Sequence, residues 1–368
     1  MFSEGGSAAL CDARGLVMIS RGGSVASATM DVLLGDSRLS EMGRMTLNLL
    51  PGVPLIESPL FDANLDSMGL SGMERDVAVQ LNRNGFAAID FPDPSIDARI
   101  ERIKQRLAPE FGIDLQDPES IKAGGDKRVQ DAWQFDADVQ SIAANPEILS
   151  LLTKLYGRQA FPFQTLNFPV GTQQAVHTDT VHFSSIPERF MCGVWLAMED
   201  IGPNAGPLCY VPGSHRWPIL SNAMIGRAGW GSECRSAQMP YQEVWGAIVT
   251  ATGATQEAFH ARKGQALIWC ANLLHGGSYQ ADVRLTRWSQ VTHYYFDDCV
   301  YYTPAFSDEP LGRLDLRDIV SVVDGASKPN VYLGERVEKT HQTRRTRMRR
   351  WADRGKRLLR SLSADVGR

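Results

Sequence analysis

Ala266-Leu267-Ile268-Trp269-Cys270 is a run of five apolar residues, closed by Ala271-Asn272 and followed at once by Leu273-Leu274-His275-Gly276-Gly277. A short apolar run bounded by turn residues reads as a strand. The same pattern recurs on both sides of it. Val194-Trp195-Leu196-Ala197, Leu208-Cys209-Tyr210-Val211 and the run from Trp288 to Phe296 are all short, and Gly, Pro and Asn break the chain between them. From Phe161 to about Phe296 this spacing predicts a sandwich or barrel. One helical stretch, roughly 241–260, interrupts it.

Helices precede that region. Ser71 and Glu74 have capping-box spacing, and Met73, Val77 and Leu81 follow at helical intervals until Asn84-Gly85. Phe86 to Phe91 reads as a strand ended by Pro92 and Pro94. Ile96 to Leu107 reads as a second amphipathic helix, with Ile100, Ile103 and Leu107 on one face. Pro146 to Tyr156 is a third, with Ile148, Leu151, Leu152 and Leu155 turned inward. The predicted class is mainly β with flanking helices (α+β). Residues 1–45, rich in Gly, Ser and Ala, read as a poorly ordered arm. Residues 46–310 form one domain, with a helical lead-in over 70–157 and a β core over 158–300. Residues 311–368 are a C-terminal extension. Its run from Arg344 to Arg360 reads either as a solvated charged helix or disordered tail, or as a basic amphipathic helix that lies on an anionic membrane or touches nucleic acid or an acidic partner.

The chain has 368 residues, 43% of them hydrophobic, a formal net charge of -4 and a pI near 6.0. No global positive field draws it to nucleic acid, so no nucleic-acid partner is expected. The cysteines at 11, 192, 209, 234, 270 and 299 form no Cys-x-x-Cys pair and match no zinc module, which reads as isolated thiols in a reducing compartment. No apolar run approaches the ~20 residues that span a bilayer. The start, Met-Phe-Ser-Glu, lacks the basic and apolar blocks of a secretory leader, so a cytoplasmic location is expected.

The chemistry concentrates in the β region. In His177-Thr178-Asp179 an imidazole and a carboxylate stand two residues apart, on one side of an extended chain, where both can grip one metal. His275 follows the Ala266–Cys270 strand, and Arg284 and Arg287 open the next one. Two His and one carboxylate form the facial triad of non-haem iron(II) oxygenases, which leaves three coordination positions open. A 2-oxo acid fills two of these and dioxygen the third. An Arg fork holds the far carboxylate of that co-substrate through paired charge-assisted bonds. The order His-x-Asp, distant His, then Arg is the order this chemistry asks for.

The text around these residues resembles the phytanoyl-CoA dioxygenase family of iron(II)/2-oxoglutarate oxygenases. The matching stretches are Gly171-Thr-Gln-Gln-Ala-Val-His177-Thr-Asp179, Asn204-Ala-Gly-Pro-Leu-Cys-Tyr-Val-Pro-Gly-Ser-His215, and His275-Gly-Gly-Ser278 followed by Arg287 and His293-Tyr294. The resemblance covers about 70–310 and is strongest over 164–295. It implies a double-stranded β-helix (jelly-roll, cupin-like) core. It also implies Fe(II) bound by His177, Asp179 and His275, 2-oxoglutarate held by an Arg, O2 as oxidant and ascorbate as a candidate reductant. The reaction implied is hydroxylation of a C–H bond of a small-molecule substrate, with release of succinate and carbon dioxide. The family usually has one Gly between the distal His and the Ser. Here Gly276-Gly277 carries an extra residue, which moves the matching positions to Ser278 and Arg287 and favours Arg287 over Arg284. Trp195 stands where the family often places an aromatic residue beside 2-oxoglutarate. Gln164 and Thr165, on the strand before the iron motif, are further candidates for that co-substrate. Related halogenases replace the carboxylate at the position of Asp179 with a small residue, so its presence points to hydroxylation.

Other residues carry two readings each. His182 faces substrate or supports the ligands. His215 stabilises the Pro-Gly-Ser-His turn or acts in catalysis. Asn204 and Gly206 shape a tight turn. Lys127, Trp133 and Phe135 fall in a variable segment where a substrate lid could form. Two competing functions remain at this stage: a jelly-roll metalloenzyme that uses another metal without 2-oxoglutarate, and a non-enzymatic ligand-binding β-sandwich.

Overall fold

The structure is a computed structural model, and it describes residues 48–121, 128–230 and 236–338. The expected N-terminal arm, Cys11, Lys127, Cys234 and the Arg344–Arg360 run lie outside the described residues.

Helix α1 (Gly72–Asn84) starts with a complete capping box. Glu74 N donates to Ser71 Oγ, and Ser71 N donates to the Glu74 carboxylate. It ends at Gly85, whose φ of 85° suits glycine and whose missing side chain leaves room for His215, since a Cβ would lie 2.5 Å from that ring. Strand β1 (Phe86–Asp90), helix α2 (Ile96–Leu107), strand β2 (Val129–Gln130), and helices α3 (Ala137–Ala143) and α4 (Pro146–Tyr156) follow. The core then runs through β3 (Ala160–Phe168), β4 (Ser184–Ile186), β5 (Met191–Ala197) and β6 (Leu208–Tyr210). Helix α5 (Met239–Thr252) intervenes before β7 (Glu257–Phe259), β8 (Gln265–Cys270), β9 (His275–Gly277), β10 (Ser289–Phe296) and β11 (Val300–Tyr302).

Six strands make an antiparallel sheet in the order β1-β8-β5-β10-β3-β2, and three make a second sheet, β7-β6-β9. β4 pairs with β11. Period-2 alternation splits the large sheet. Phe168, Trp195, Leu267, Trp269 and Val291 pack with Leu208, Tyr210 and Phe259 from the small sheet. Val194, Leu196, Ile268, Cys270 and Phe296 pack instead against Val77 and Leu81 of α1, Ile103 and Leu107 of α2, and Leu152 and Leu155 of α4. Burying each such Leu or Ile contributes about 1.5–3 kcal/mol, so the helices are bound to the sheet by the stripe that the sequence periodicity marked. The result is a jelly-roll sandwich with helices on the outer face of its larger sheet.

One boundary differs from expectation. The helix predicted over 241–260 stops at Thr252, because Gly253 takes a left-handed conformation (φ 66°) and caps it. Glu257–Phe259 is strand β7, drawn into pairing with Leu208–Tyr210. Residues 311–338 add two small hairpins, Ile319–Val320 with Ser327–Lys328 and Val331–Tyr332 with Glu335–Arg336. They are tied to the body by Val322 N donating to Pro162 O (2.8 Å) and Val331 N to Cys299 O (2.9 Å). No helix among the described residues is long and apolar enough to cross a membrane.

Candidate active site

His177 and His275 face each other across an antiparallel bridge, with reciprocal backbone hydrogen bonds of 2.8 and 2.9 Å. The approach depends on Gly276, where a Cβ would lie 2.7 Å from Gln174 O and 3.1 Å from Val176 Cα. The pairing sets the two rings 4.6 Å apart. His177 Nδ1–H donates to Ala175 O (3.0 Å) and His275 Nδ1–H donates to Leu273 O (2.9 Å). A carbonyl only accepts, so each Nδ1 carries the proton and each Nε2 keeps its lone pair.

Asp179 Oδ1 lies 3.9 Å from both Nε2 atoms. One ligand atom from each of the three residues lies within 4.8 Å of the others, so the set could hold one metal ion. The second carboxylate oxygen, Oδ2, accepts from Trp269 Nε1–H at 2.8 Å. Burial, reinforced by the neighbouring His275, pushes His177 down to about 3, so its ring is neutral near pH 7. Burial alone would raise Asp179, but the imidazoles of His275, His293 and His177 and the Trp269 N–H together hold it at about 2. Two imidazole nitrogens and a carboxylate oxygen are the donor set that a divalent ion of mixed nitrogen and oxygen preference takes.

These residues open onto a cavity of ≈ 290 Å³ that Arg287, Trp195 and Gln164 also line. Arg287 is 3% exposed. Its Nη1 donates to Gly206 O at 3.0 Å, its Nε has no partner, and no carboxylate among the described residues pairs with it. Burial pushes it down to about 10. The guanidinium carbon sits 5.9 Å from the Trp195 ring centre, and Trp195 Nε1 is also without a partner. A buried cation with no counter-charge costs several kcal/mol, so this end of the cavity calls for an anionic ligand group.

The other residues singled out in the sequence divide between the cavity and its surroundings. His293 Nδ1–H donates to Gln164 Oε1 (3.0 Å), and its Nε2 stands 3.8 Å from Asp179 Oδ2. His182 lines the cavity edge-on to His177, with ring centres 5.7 Å apart and its Nε2 unpartnered. Thr165, next to Gln164 on β3, is turned to the other face of the sheet and does not line the cavity. Ser278 is also outside it: its N donates to Pro207 O (2.8 Å) and its hydroxyl meets Cys209. Arg284 is at the surface, paired with Asp282 at 2.9 Å. His215 Nε2–H donates to Asn82 O (3.0 Å). Ser214 Oγ donates to Val211 O (2.7 Å) and accepts from Leu274 N (2.8 Å), so the Pro-Gly-Ser-His turn ties α1 to the approach to His275. Asn204 to Gly206 form the turn that presents Gly206 O to Arg287. Trp133 packs against the helical core and Phe135 is exposed; neither lines the cavity.

Sequence reasoning missed Trp269, Gln174, Arg128, Gln130 and Phe183, all of which line the cavity. Trp269 had a signal, since strand alternation puts it on one face with Leu267. Gln174 had none. Its Nε2 lies 3.3 Å from His177 Nε2 and donates to Gln238 Oε1 at 2.8 Å, a contact between distant segments.

A model of the phytanoyl-CoA dioxygenase (PhyH) family matches residues 81–280, more than half of the chain. The chain belongs to this family. With the His177–Asp179–His275 set intact, this PhyH member is a non-haem iron enzyme that depends on 2-oxoglutarate. No curated protein matches the sequence. Among solved structures it is similar to the non-heme alpha ketoglutarate dependent carbocyclase SnoK from nogalamycin biosynthesis, at 18% identity and a TM-score of 0.49, over 74% of this chain and 95% of that one. It is similar to EctD from S. alaskensis with 2-oxoglutarate and 5-hydroxyectoine, at 16% identity and a TM-score of 0.48, over 65% and 80%. It is also similar to AviO1 from Streptomyces viridochromogenes Tue57, at 21% identity and a TM-score of 0.43, over 60% and 94%.

Proposed function

We propose that this PhyH-family protein hydroxylates a C–H bond of a small organic molecule, with His177, Asp179 and His275 as the iron ligands and Arg287 as the anchor of 2-oxoglutarate. The observation that carries the reading is the pairing, in one cavity, of a His-Asp-His ligand set with a buried Arg that lacks an acid partner. A metalloenzyme without an oxo-acid co-substrate has no use for that cation, and a plain binding sandwich has no use for the ligand set.

His177, His275 and Asp179 would hold the iron, the two His Nε2 atoms each lying 3.9 Å from Asp179 Oδ1. Iron(II) there, with 2-oxoglutarate bound, supplies the activation of dioxygen. Arg287 would hold the far carboxylate of 2-oxoglutarate by its free N–H, with the Trp195 ring 5.9 Å from the guanidinium carbon, and so would align the co-substrate. Gln164 and His293 brace the Asp179 side of the cavity. Phe168, Leu208 and Val291 line it with apolar surface and exclude water from the reacting atoms. Asp179 fills the carboxylate position, which favours hydroxyl transfer over halide transfer.

The test needs no substrate. Anaerobic iron(II) and 2-oxoglutarate added to the protein are expected to give the weak visible charge-transfer band of a chelated iron–oxo-acid complex. His177→Ala abolishes it, and Arg287→Ala raises the 2-oxoglutarate needed by about 30-fold or more, since truncating one side of a buried charge pair costs about 2–5 kcal/mol. Folded, iron-loaded wild-type protein that gives no band refutes the proposal.

A further inference from the structure

Strand β2 is two residues long and pairs at the sheet edge, Val129 with Asn167 and Gln130 with Leu166 of β3. Val129 packs into the helical core, so alternation turns Arg128 and Gln130 the other way, into the cavity, beside Gln164, Leu166 and Phe168 of β3. Arg128 is at the exposed mouth and makes no ion pair or hydrogen bond among the described residues.

Charge balance gives this Arg a meaning. Apart from the histidines, the charged side chains among the described lining residues are Arg128, Asp179 and Arg287. Iron(II) with Asp179 leaves one positive charge, and Arg287 adds a second. The 2-oxoglutarate dianion would match those two and leave Arg128 without a counter-charge at the exposed mouth, where a fixed positive charge steers an incoming anionic group. Gln130, Gln164 and Gln174 and the unpartnered His182 surround the same space and offer hydrogen bonds without further charge. The volume of ≈ 290 Å³ is at the small end of the about 300–1,000 Å³ usual for ligand cavities, and the co-substrate takes part of it.

We propose that Arg128 is the substrate-recognition cation, and that the substrate carries an oxyanion, a carboxylate or a phosphate, at the end remote from the carbon that is oxidised. The proposal deepens the oxygenase reading and rests on 2-oxoglutarate occupying Arg287. The guanidinium fork suits either oxyanion through paired bonds, which a neutral amide cannot return.

The experiment uses full-length protein loaded with Mn(II) and 2-oxoglutarate, and matched probes: phenylacetate, phenyl phosphate and neutral phenylacetamide. Paramagnetic broadening of the probe resonances reports binding near the metal. At least one anionic probe is expected to bind about tenfold or more tightly than the amide, and the better of the two identifies the oxyanion. Arg128→Gln abolishes the preference, and Arg128→Lys restores part of it. Equal broadening by all three probes, broadening by none, or a preference that survives Arg128→Gln overturns the proposal. The anaerobic iron–2-oxoglutarate band, measured on the same wild-type and Arg128→Gln proteins, separates the two failures. Its absence refutes the oxygenase reading, whereas a normal band with no anion preference refutes only the role of Arg128.

Discussion

Trp269→Phe keeps an aromatic ring in the strand and removes one donor. The indole N–H is 2.8 Å from Asp179 Oδ2, and the carboxylate is 3% exposed, so no solvent replaces the lost bond. A hydrogen bond to a buried charged group is worth about 1.5–3 kcal/mol, which is roughly a 10- to 100-fold change in an equilibrium constant. Partners behind metal ligands typically change affinity by about the same factor. Two effects oppose. Without the donor the carboxylate is a stronger base, which favours the metal. It is also free to rotate, which loses the position that holds Oδ1 at 3.9 Å from both imidazole Nε2 atoms. Orientation wins, because the indole N–H is the hydrogen bond that holds Oδ2, and His293 Nε2 at 3.8 Å, whose ring carries its proton on Nδ1, cannot replace it as a donor. Anaerobic calorimetric titration with iron(II) is therefore expected to show a dissociation constant about 10- to 100-fold higher than wild type. Thermal unfolding should agree. The smaller ring lowers the midpoint of the metal-free protein, and saturating wild-type levels of metal then add about 1.4–2.7 kcal/mol less stabilisation than they add to wild type. A folded Trp269→Phe variant that binds iron(II) within twofold of wild type refutes the reasoning.

Gly193 is the cross-strand partner of Trp269, and a Cβ there would lie 2.1 Å from the indole. Gly193→Ala is expected to cost about 1–3 kcal/mol in denaturant unfolding and to weaken iron(II) binding, although the residue touches no ligand. Unchanged affinity would show that the indole does not position Asp179. Asp138 receives hydrogen bonds from Arg102 (2.7 Å) and Arg99 (2.8 Å), joining α2 to α3; the Arg102 bond, helped by Arg99, holds its carboxyl below the ordinary value against the opposing effect of burial. A carboxyl lowered by folding stabilises the fold above its unfolded value of ~3.9, and that contribution disappears as pH falls through the folded value. Asp138→Asn should therefore unfold about 2 °C lower at pH 7, for about 1 kcal/mol, with the gap to wild type closing below about pH 3.9. A gap that persists at the lowest pH at which both proteins fold would show that packing, not charge, sets the effect.

How far the fold was legible follows from which interactions are local. The start of α1 is written in two residues, Ser71 and Glu74, whose bonds close within one turn. The inward faces of α2 and α4 follow from one period applied to one helix. The end of α5 was misread because the competitor to helix after Gly253 is β6, which lies far back in sequence and leaves no mark on Glu257–Phe259. No periodicity carries information about a pairing partner.

The same distinction explains the site. That His177, Asp179, His275 and Arg287 line one cavity was legible because the chemistry fixes their types and the surrounding text fixes their order. The choice between Arg284 and Arg287 shows how. Spacing alone leaves both open. The extra glycine at 276–277 shifts the frame by one residue and selects Arg287, and the structure gives a physical reason for the pair of small residues. At Gly276 a Cβ would strike Gln174 O at 2.7 Å, and at Gly277 it would come within 3.0 Å of Gln173 N. The strand carrying one imidazole is thus laid against the segment carrying the other by backbone contact too close for side chains. Thr165 and Ser278 failed to reach the cavity for the opposite reason. Each was chosen by position in the text, and the direction of a side chain depends on the sheet around it: Thr165 is one residue from the inward-facing Gln164, and Ser278 is turned onto Cys209. Residues whose role depends on direction need the register, and the register is set by strands elsewhere in the chain.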